Sequence, residues 1–281
     1  MSFIDSNIEI TSESVKTPYF LIVHAKGGAG KTMLCTHAPK PFYLALEHGV
    51  DDIDGVGTYK ETNKFTGKKV IKLPKSASDF FEAARDLITK EHDYKTIVID
   101  SGKFLDVLFE QDVINKNPIE VIKKNEIEVT CLGDYNFSRG YEMAMKLWKK
   151  TLVAIDAMKA RGYNVILICH SAKINDENIN GDPFKRVGID LMRFGAQSAP
   201  DLVFAKCDAC YYMRSEIETR EVRGNTKVST HGRPDIVLYT RGQNGFDAKV
   251  RTKNKDNIPD HYIIDWDDSA TSKIIFEDLE K

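Results

Sequence analysis

The amino-acid sequence predicts an α/β protein with a mostly parallel sheet and helices on both of its faces. Short apolar runs alternate along the chain with longer amphipathic stretches, which is typical of strands joined by helices. The runs are mostly continuous, and this favours parallel strands that are buried on both faces. The 281 residues are 42% apolar, enough to bury one large core, so we expect one domain with appendages.

Four apolar runs predict the strands of the parallel sheet. They cover residues 19–24 (YFLIVH), 42–46 (FYLAL), 96–99 (TIVI) and 164–169 (NVILIC). From about Cys207 onward, turn residues separate extended segments that we expect to add antiparallel strands to the sheet. These segments are residues 209–214, 236–240 and 262–266.

Helices and loops are predicted between the strands. Ser78 is the expected N-cap of a helix over residues 79–91. A second helix is expected over residues 139–161, where apolar residues recur every three or four positions and a glycine follows. Residues 51–75 are expected to form a loop or hairpin, and the polar stretch 173–188 a long loop that is functional or disordered.

The pattern divides the chain into four parts. We expect an N-terminal extension over residues 1–17, a core over 18–206, a strand and hairpin extension of the same domain over 207–264, and an acidic tail over 265–281. The tail has six acidic residues and two lysines, which predicts a solvated segment that could also occupy a basic patch or dock another protein.

Composition argues against several classes of protein. The net charge of −2 argues against coating nucleic acid by bulk charge, so any such site must be a local patch. No apolar run approaches the ~18 residues of a membrane span, and the start of the chain lacks a signal-peptide pattern. Five scattered cysteines do not form a disulfide framework, and the Cys207/Cys210 pair lacks the further ligands of a zinc site. We expect a cytoplasmic protein with no membrane contact.

A glycine-rich segment after the first strand predicts a phosphate-binding loop. Residues 25–32 read A-K-G-G-A-G-K-T, between that strand and a short helical segment. In such loops, glycines turn backbone N–H groups toward the phosphates of a nucleotide. We expect Lys31 to reach the terminal phosphates and Thr32 to place its hydroxyl on Mg²⁺, so ATP and Mg²⁺ are the expected ligands. The predicted nucleotide-binding residues are Ala25, where the pattern usually has glycine, Lys26, Gly27, Gly28, Ala29, Gly30, Lys31, Thr32 and Met33.

Polar residues end three of the predicted strands and can complete this site. Asp100 is expected to hold the Mg²⁺ through water. Glu47 is placed to orient and deprotonate the water that attacks the terminal phosphate, the alternative being a solvated surface residue. His170 is placed to sense the γ-phosphate, the alternative being a structural role. Because parallel strands end at the same edge of a sheet, we expect all three residues near Lys31.

The segments that carry these residues resemble, in the same order, the RecA-like ATPases. More narrowly, residues 18–265 are similar to phage-encoded RecA-like proteins of the single-strand annealing and recombination type. The segments are LIVHAKGGAGKT, LALEHG, TIVIDS, GDYNFSRGY, VILICHSAK and DAKVRTKNKDNIP. The resemblance implies a RecA-like P-loop NTPase core that assembles on single-stranded DNA as a ring or filament, with ATP at subunit interfaces. It also implies a place in the host cytoplasm and contact with a single-strand DNA-binding protein.

The same resemblance implies roles for individual residues. Glu47 would be the catalytic base and His170 the sensor. Lys249 and Arg251 occupy a K-x-R element that would act in trans on the ATP of the neighbouring subunit, the alternative being an exposed basic hairpin. The loop over residues 171–197 would contact DNA. Its candidate DNA-binding residues are Lys173, Lys185, Arg186, Arg193 and Phe194.

Charge distribution gives modest support to a DNA site. Residues 214–255 contain ten basic and five acidic residues, which predicts a local patch able to neutralise phosphates of single-stranded DNA.

Two other functions remain open. Lys26 creates the sequence K-G-G-x-G-K-T, which resembles the variant loop of the partition and division-site ATPases, in which an early lysine reaches the partner's phosphates. Against this alternative, the second strand leads into Glu47 where that class carries an aspartate-rich segment. The other alternative is a nucleotide-gated DNA-binding module that hydrolyses ATP slowly or not at all.

Overall fold

A mixed sheet of ten strands, most of them parallel, forms the centre of the described chain, and helices cover both of its faces. The computed structural model describes residues 17–280, apart from residues 52, 65, 123–124, 178–180, 182, 217–218, 223–224, 229–234, 244 and 253–254. The expected N-terminal extension, residues 1–17, lies outside the described residues except for Thr17. Within the described residues, no helix combines the length and the apolar character needed to cross a membrane.

The described residues form the following elements. The helices are α1 (Lys31–Cys35), α2 (Ala77–Thr89), α3 (Gly102–Lys116), α4 (Arg139–Ala160), α5 (Ala199–Lys206) and α6 (Ser269–Glu280). The strands are β1 (Phe20–Ala25), β2 (Pro41–Ala45), β3 (Gly57–Thr58), β4 (Lys60–Thr62), β5 (Lys69–Ile71), β6 (Thr96–Asp100), β7 (Ile119–Ile122), β8 (Asn125–Glu128), β9 (Asn164–Glu177), β10 (Pro183–Ile189), β11 (Arg193–Phe194), β12 (Gln197–Ser198), β13 (Ala209–Glu216), β14 (Thr219–Val222), β15 (Asn225–Val228), β16 (Asp235–Tyr239), β17 (Lys249–Val250) and β18 (His261–Ile264).

The strand order of the large sheet confirms the predicted fold class. It runs β18-β16-β13-β1-β9-β6-β2-β3, with β10 paired to β9 and β17 paired to β13. The six strands from β13 to β3 are parallel, and β16, β17 and β18 add antiparallel pairs. Strand β9 therefore lies between β1 and β6, and the carboxyl ends of all three meet at one edge of the sheet.

Strand β1 shows why the apolar runs are continuous. Phe20 and Ile22 face a core that includes side chains of α2, α3, α4 and α5. Leu21 and Val23 face the opposite core, which includes side chains of α1 and α6. Because both faces of the strand are buried, neither set of alternating positions is polar.

The predicted helices form, with one shift. Helix α2 begins two residues earlier than expected because Ser76, and not Ser78, accepts a hydrogen bond from the N–H of Asp79 (3.1 Å). Helix α4 spans Arg139–Ala160, and Gly162 follows it with a left-handed φ of 93°. The expected hairpin within residues 51–75 is formed by β4 and β5. Helices α3, α5 and α6 were not predicted.

The expectation that residues 209–214 form an antiparallel strand is wrong. Strand β13 is parallel to β1, with Leu21 paired to Ala209 and Ala25 paired to Met213. Helix α5 leads the chain from the edge where the carboxyl ends of β1, β6 and β9 meet, called here the site edge, back to the opposite edge of the sheet. The next strand, β13, therefore runs in the same direction as β1. The antiparallel arrangement begins with β16.

The expectation that residues 173–188 form a loop is also wrong for residues 173–177 and 183–188, whereas residues 178–180 and 182 lie outside the described residues. Strand β9 continues beyond the sheet to Glu177, and β10 returns along it in a hairpin that pairs Ser171 with Ile189. This hairpin extends past the edge where the nucleotide site is expected, so neither face is buried throughout and no apolar periodicity marks it in the sequence.

The expectation of a solvated acidic tail over residues 265–281 is wrong as well. Helix α6 buries Ile275, Phe276 and Leu279 in the core that contains α1 and β1. The acidic residues of this segment lie before the helix, between Phe276 and Leu279, or directly after Leu279, so a count of charges conceals its apolar face.

Candidate active site

The phosphate loop joins β1 to α1 and is wrapped around the side chain of Lys31. The ammonium Nζ of Lys31 donates hydrogen bonds to the carbonyls of Ala25 (3.2 Å) and Lys26 (3.1 Å). Gly28 and Gly30 have left-handed φ values of 76° and 93°, which residues other than glycine rarely adopt. The short helix α1 follows at once, with Lys31 as its first residue.

Thr32 and Asp100 meet at the base of this loop. The Thr32 hydroxyl donates a hydrogen bond to a carboxylate oxygen of Asp100 at 2.8 Å. Tyr43 of β2 donates a hydrogen bond to the Thr32 carbonyl (2.8 Å) and so fixes the first turn of α1. A hydroxyl and a carboxylate in contact are hard oxygen ligands of the kind that Mg²⁺ accepts, so the two predicted metal residues fit this ion.

The Asp100 carboxyl is only 3% exposed, and this controls its ionisation. The pKa of this carboxyl is raised from 3.8 to about 6, mainly by burial and also by the charge of Glu47, while the Thr32 hydrogen bond and Lys31 oppose the rise. Burial also lowers the pKa of Lys31, against the opposing effect of Asp100. The site thus holds a buried ammonium and a buried carboxylate that partly compensate each other.

Glu47 lies at the same edge of the sheet, two residues after the end of β2. The N–H of Leu46 bonds the carbonyl of Asp100 (2.7 Å), which extends the pairing of β2 with β6 up to the side of Glu47. Glu47 is half-buried and lines one cleft of about 520 Å³ together with the loop. The polar side chains in this cleft are those of Lys31, Thr32, Glu47, Asp100 and His170.

His170 contacts the phosphate loop from the central strand β9. Its imidazole Cε1 lies 3.7 Å from the position that a Cβ on Gly27 would occupy. Burial and the charge of Lys31 lower the pKa of His170, so the imidazole is neutral near pH 7. A neutral imidazole can donate one hydrogen bond to a ligand or accept one from it. The parallel pairing of β1 and β9 ends here, where Ala25 pairs with His170.

A second histidine, which sequence reasoning missed, links the loop strand to two neighbouring segments. His24 is fully buried, and burial lowers its pKa to about 4. Its Nε2 donates a hydrogen bond to the carbonyl of Asp247 (2.7 Å), so its Nδ1 accepts one from the hydroxyl of Ser171 (2.9 Å). The signal was a histidine inside the apolar run YFLIVH, a position that requires a polar partner.

Lys249 and Arg251 do not lie in the cleft of their own chain. Lys249 pairs with Cys210 at the level of Ile22, about 10 Å before the site end of β1. The Lys249 ammonium bonds the carbonyl of Phe204, and the Arg251 guanidinium bonds the carbonyl of Ala205 at 3.0 Å. Both cations therefore contact the carboxyl-terminal end of α5, which provides a local structural role.

The candidate DNA-binding residues fall in two places. Lys173, Lys185 and Arg186 are on the β9–β10 hairpin, and only the first two of them are exposed. Arg186 forms ion pairs with Asp176 (2.6 Å) and with Asp247. In the adjacent β11–β12 hairpin, Arg193 pairs with Asp201 (3.2 Å) and Phe194 stacks on Tyr141 with a centroid distance of 4.1 Å.

A comparison with known protein families shows to which family the chain that carries this site belongs. The family of proteins described as "AAA domain" matches residues 17–252, which include β1, the phosphate loop, Glu47, Asp100 and His170. The chain belongs to the AAA domain family. It is thus a P-loop ATPase in general class, and membership in this family implies nucleotide binding. None of the curated proteins matches this AAA domain protein.

We predict that Asp100→Asn raises the free energy of unfolding, because it removes a buried carboxylate. Because the pKa of Asp100 is raised in the folded protein, ionisation disfavours folding above pH 4, and the penalty is complete above about pH 6. We expect the variant to be more stable by up to about 3 kcal/mol at pH 7.5 and nearly unchanged at pH 4. Denaturant unfolding without nucleotide and Mg²⁺ measures this difference, with the exposed Asp93→Asn as control. A less stable Asp100→Asn protein at pH 7.5 would contradict the assignment.

Proposed function

We propose that this AAA domain protein binds Mg²⁺–ATP, hydrolyses it, and assembles on single-stranded DNA to promote annealing or homologous recombination. The observation that carries the ATPase part is the convergence of Lys31, Thr32, Glu47, Asp100 and His170 on one cleft. These residues lie in α1, which follows β1 and the phosphate loop, and at or just beyond the carboxyl ends of β2 and β6 and within β9, so the sheet itself brings them together.

Each residue has a task that its position supports. The loop N–H groups and Lys31 bind the phosphates, and the hydrogen bonds of Lys31 to Ala25 and Lys26 hold its ammonium in place. Thr32 and Asp100 would hold Mg²⁺, which supplies neutralisation of charge on the phosphates. Glu47 orients and deprotonates the attacking water, and His170 senses the γ-phosphate from its place against Gly27.

Replacing Glu47 tests the proposed hydrolysis. We expect Glu47→Gln to lower ATP turnover about 100-fold or more, because the amide cannot accept the proton of water, while Mg²⁺–ATP affinity changes less than about threefold. Steady-state hydrolysis and equilibrium nucleotide binding, each with and without single-stranded DNA, measure the two effects. Glu61→Gln, on the exposed strand β4, is the control.

Unchanged turnover in Glu47→Gln would remove this residue from the mechanism. A wild-type protein that binds nucleotide and DNA without turnover would favour the alternative of a nucleotide-gated DNA-binding module.

The β9–β10 hairpin is the best-supported DNA contact. Lys173 and Lys185 are exposed and lie on the same face of the hairpin, because Lys173 pairs with Val187, two positions from Lys185. Arg186 is committed to Asp176 and Asp247, so its charge is already compensated. The hairpin continues directly from His170, which connects a nucleotide-sensing residue to the DNA-binding surface.

Neutralising both lysines should weaken DNA binding in a salt-dependent way. We expect Lys173→Gln/Lys185→Gln to reduce the slope of log affinity against log salt by about 1.4, since each lost phosphate contact to a single strand contributes about 0.7. Titration of labelled single-stranded DNA over a range of salt concentrations measures the slope. Lys60→Gln/Lys69→Gln, on the exposed β4–β5 hairpin, is the matched control, and equal slopes for both double variants would argue against the hairpin.

Lys249 and Arg251 are proposed to complete the ATP site of a neighbouring subunit. They lie outside their own cleft, and α5 holds them through hydrogen bonds at its end. A finger acting in trans must point away from its own site, and this placement meets that requirement.

Mixing two inactive variants tests a shared site. Lys31→Ala subunits supply an intact Arg251, and Arg251→Ala subunits supply an intact loop, so we expect the mixture to regain up to about a quarter of the ATPase activity, the random share of interfaces with both parts intact. ATP hydrolysis measures the rescue, and crosslinking confirms mixed assembly. No rescue in mixed assemblies would assign Arg251 to the α5 contact alone. If the protein is instead similar in function to the partition and division-site ATPases, the same rescue is expected with Lys26→Ala in place of Arg251→Ala.

A further inference from the structure

An aromatic side chain from the far end of the chain lies on the phosphate loop. The Trp266 ring is so close to Gly30 that a Cβ at this glycine would lie 2.6 Å from Cζ2 and 3.0 Å from Cη2. Only glycine leaves space for this approach, and Gly30 also needs its left-handed φ. The edge of the indole is thus in contact with the backbone that precedes Lys31.

The topology of the sheet brings Trp266 to the site edge. Strand β18 is antiparallel to β16, which is antiparallel to β13, so β18 runs in the same direction as β1. Ile264, the last residue of β18, pairs with Ile236, which pairs in turn with Ser215, two residues beyond the level where β1 ends. The residues that follow β18 therefore reach the level of the phosphate loop.

Trp266 retains a large exposed surface at this place. The side chain is 37% exposed, whereas the other tryptophan, Trp148, is fully buried and donates a hydrogen bond to Asp106. Met33, which is 47% exposed, follows Thr32 in α1 and gives a second apolar surface at the rim of the cleft. Exposed aromatic surface beside a phosphate-binding loop suits the planar base of a nucleotide.

The charges around the two ends of the site give a bound nucleotide one direction. Lys31 is at the phosphate end, and the exposed carboxylates of Asp265, Asp267 and Asp268 flank Trp266. Phosphates are attracted to the first region and repelled from the second, so the uncharged base is the part of a nucleotide that fits beside Trp266.

We propose that Trp266 is the residue against which the base of the bound nucleoside triphosphate stacks. This inference rests on the proposed ATP site and adds the part of the pocket that recognises the base. Trp266 lies beyond residues 17–252, so the family match does not assign it a role.

The test compares a ligand that has a base with one that has none. We expect Trp266→Ala to lose about tenfold in affinity for Mg²⁺–ATP and less than twofold in affinity for Mg²⁺–tripolyphosphate, because only ATP contains the stacking partner. Trp266→Phe should retain most of the ATP affinity, since the phenyl ring also stacks. Calorimetry measures the affinities, and thermal unfolding confirms that each variant is folded.

Tryptophan fluorescence provides a second readout. ATP should quench the emission of the wild-type protein, tripolyphosphate should leave it nearly unchanged, and the ATP response should disappear in Trp266→Phe because Trp148 is buried. Equal losses of ATP and tripolyphosphate affinity in Trp266→Ala would show that the indole only supports Gly30, and an unchanged ATP affinity would also overturn the proposal.

Failure of this inference is distinct from failure of the proposed function. If the wild-type protein binds both ligands, Lys31→Ala loses both and Trp266→Ala shows no difference between them, then only the stacking proposal fails. If the wild-type protein binds neither ligand, the ATP site itself is refuted, and the role of Trp266 with it.

Discussion

The hydrogen bond between the Thr32 hydroxyl and the buried Asp100 carboxylate joins the phosphate loop to the end of a second strand. It connects two strands that are not neighbours, because β9 lies between β1, which leads into the phosphate loop, and β6, which ends at Asp100. Burial makes the ionised carboxylate unfavourable, and the nearby ammonium of Lys31 offsets only part of that effect. The protein therefore keeps at its centre a carboxylate whose ionisation lowers the stability of the fold.

The sequence was sufficient to predict the centre of the fold and the polar residues that line the cleft. Strands buried on both faces leave continuous apolar runs, and the polar residues that end those runs must meet at one edge of a parallel sheet. For this reason Asp100, Glu47 and His170 could be placed near Lys31 without coordinates. His24 was missed because the requirement it meets, two hydrogen bonds within a buried strand, depends on Ser171 and Asp247, which are remote in sequence.

The sequence-based predictions were wrong where the structure depends on the direction of a strand or on the spacing of a few apolar residues. The direction of β13 depends on the crossover through α5, and no local pattern records whether a chain crosses a sheet or turns back at its edge. The acidic residues of the last segment indicate a solvated tail, whereas Ile275, Phe276 and Leu279 are spaced to bury one helical face. The β9–β10 hairpin is polar because it extends past the covered part of the sheet.

Helix α6 also affects the order in which the parts of this protein can form during synthesis. It covers the face of β1 that carries Leu21 and Val23, and Glu280 in its last turn accepts a hydrogen bond from Asn164 at the start of β9 (2.9 Å). Strand β1 is synthesised before α6, so this side of the sheet is covered only after residues 269–280 have left the ribosome. Until then, a nascent chain presents an open apolar face, the kind of surface that chaperones bind.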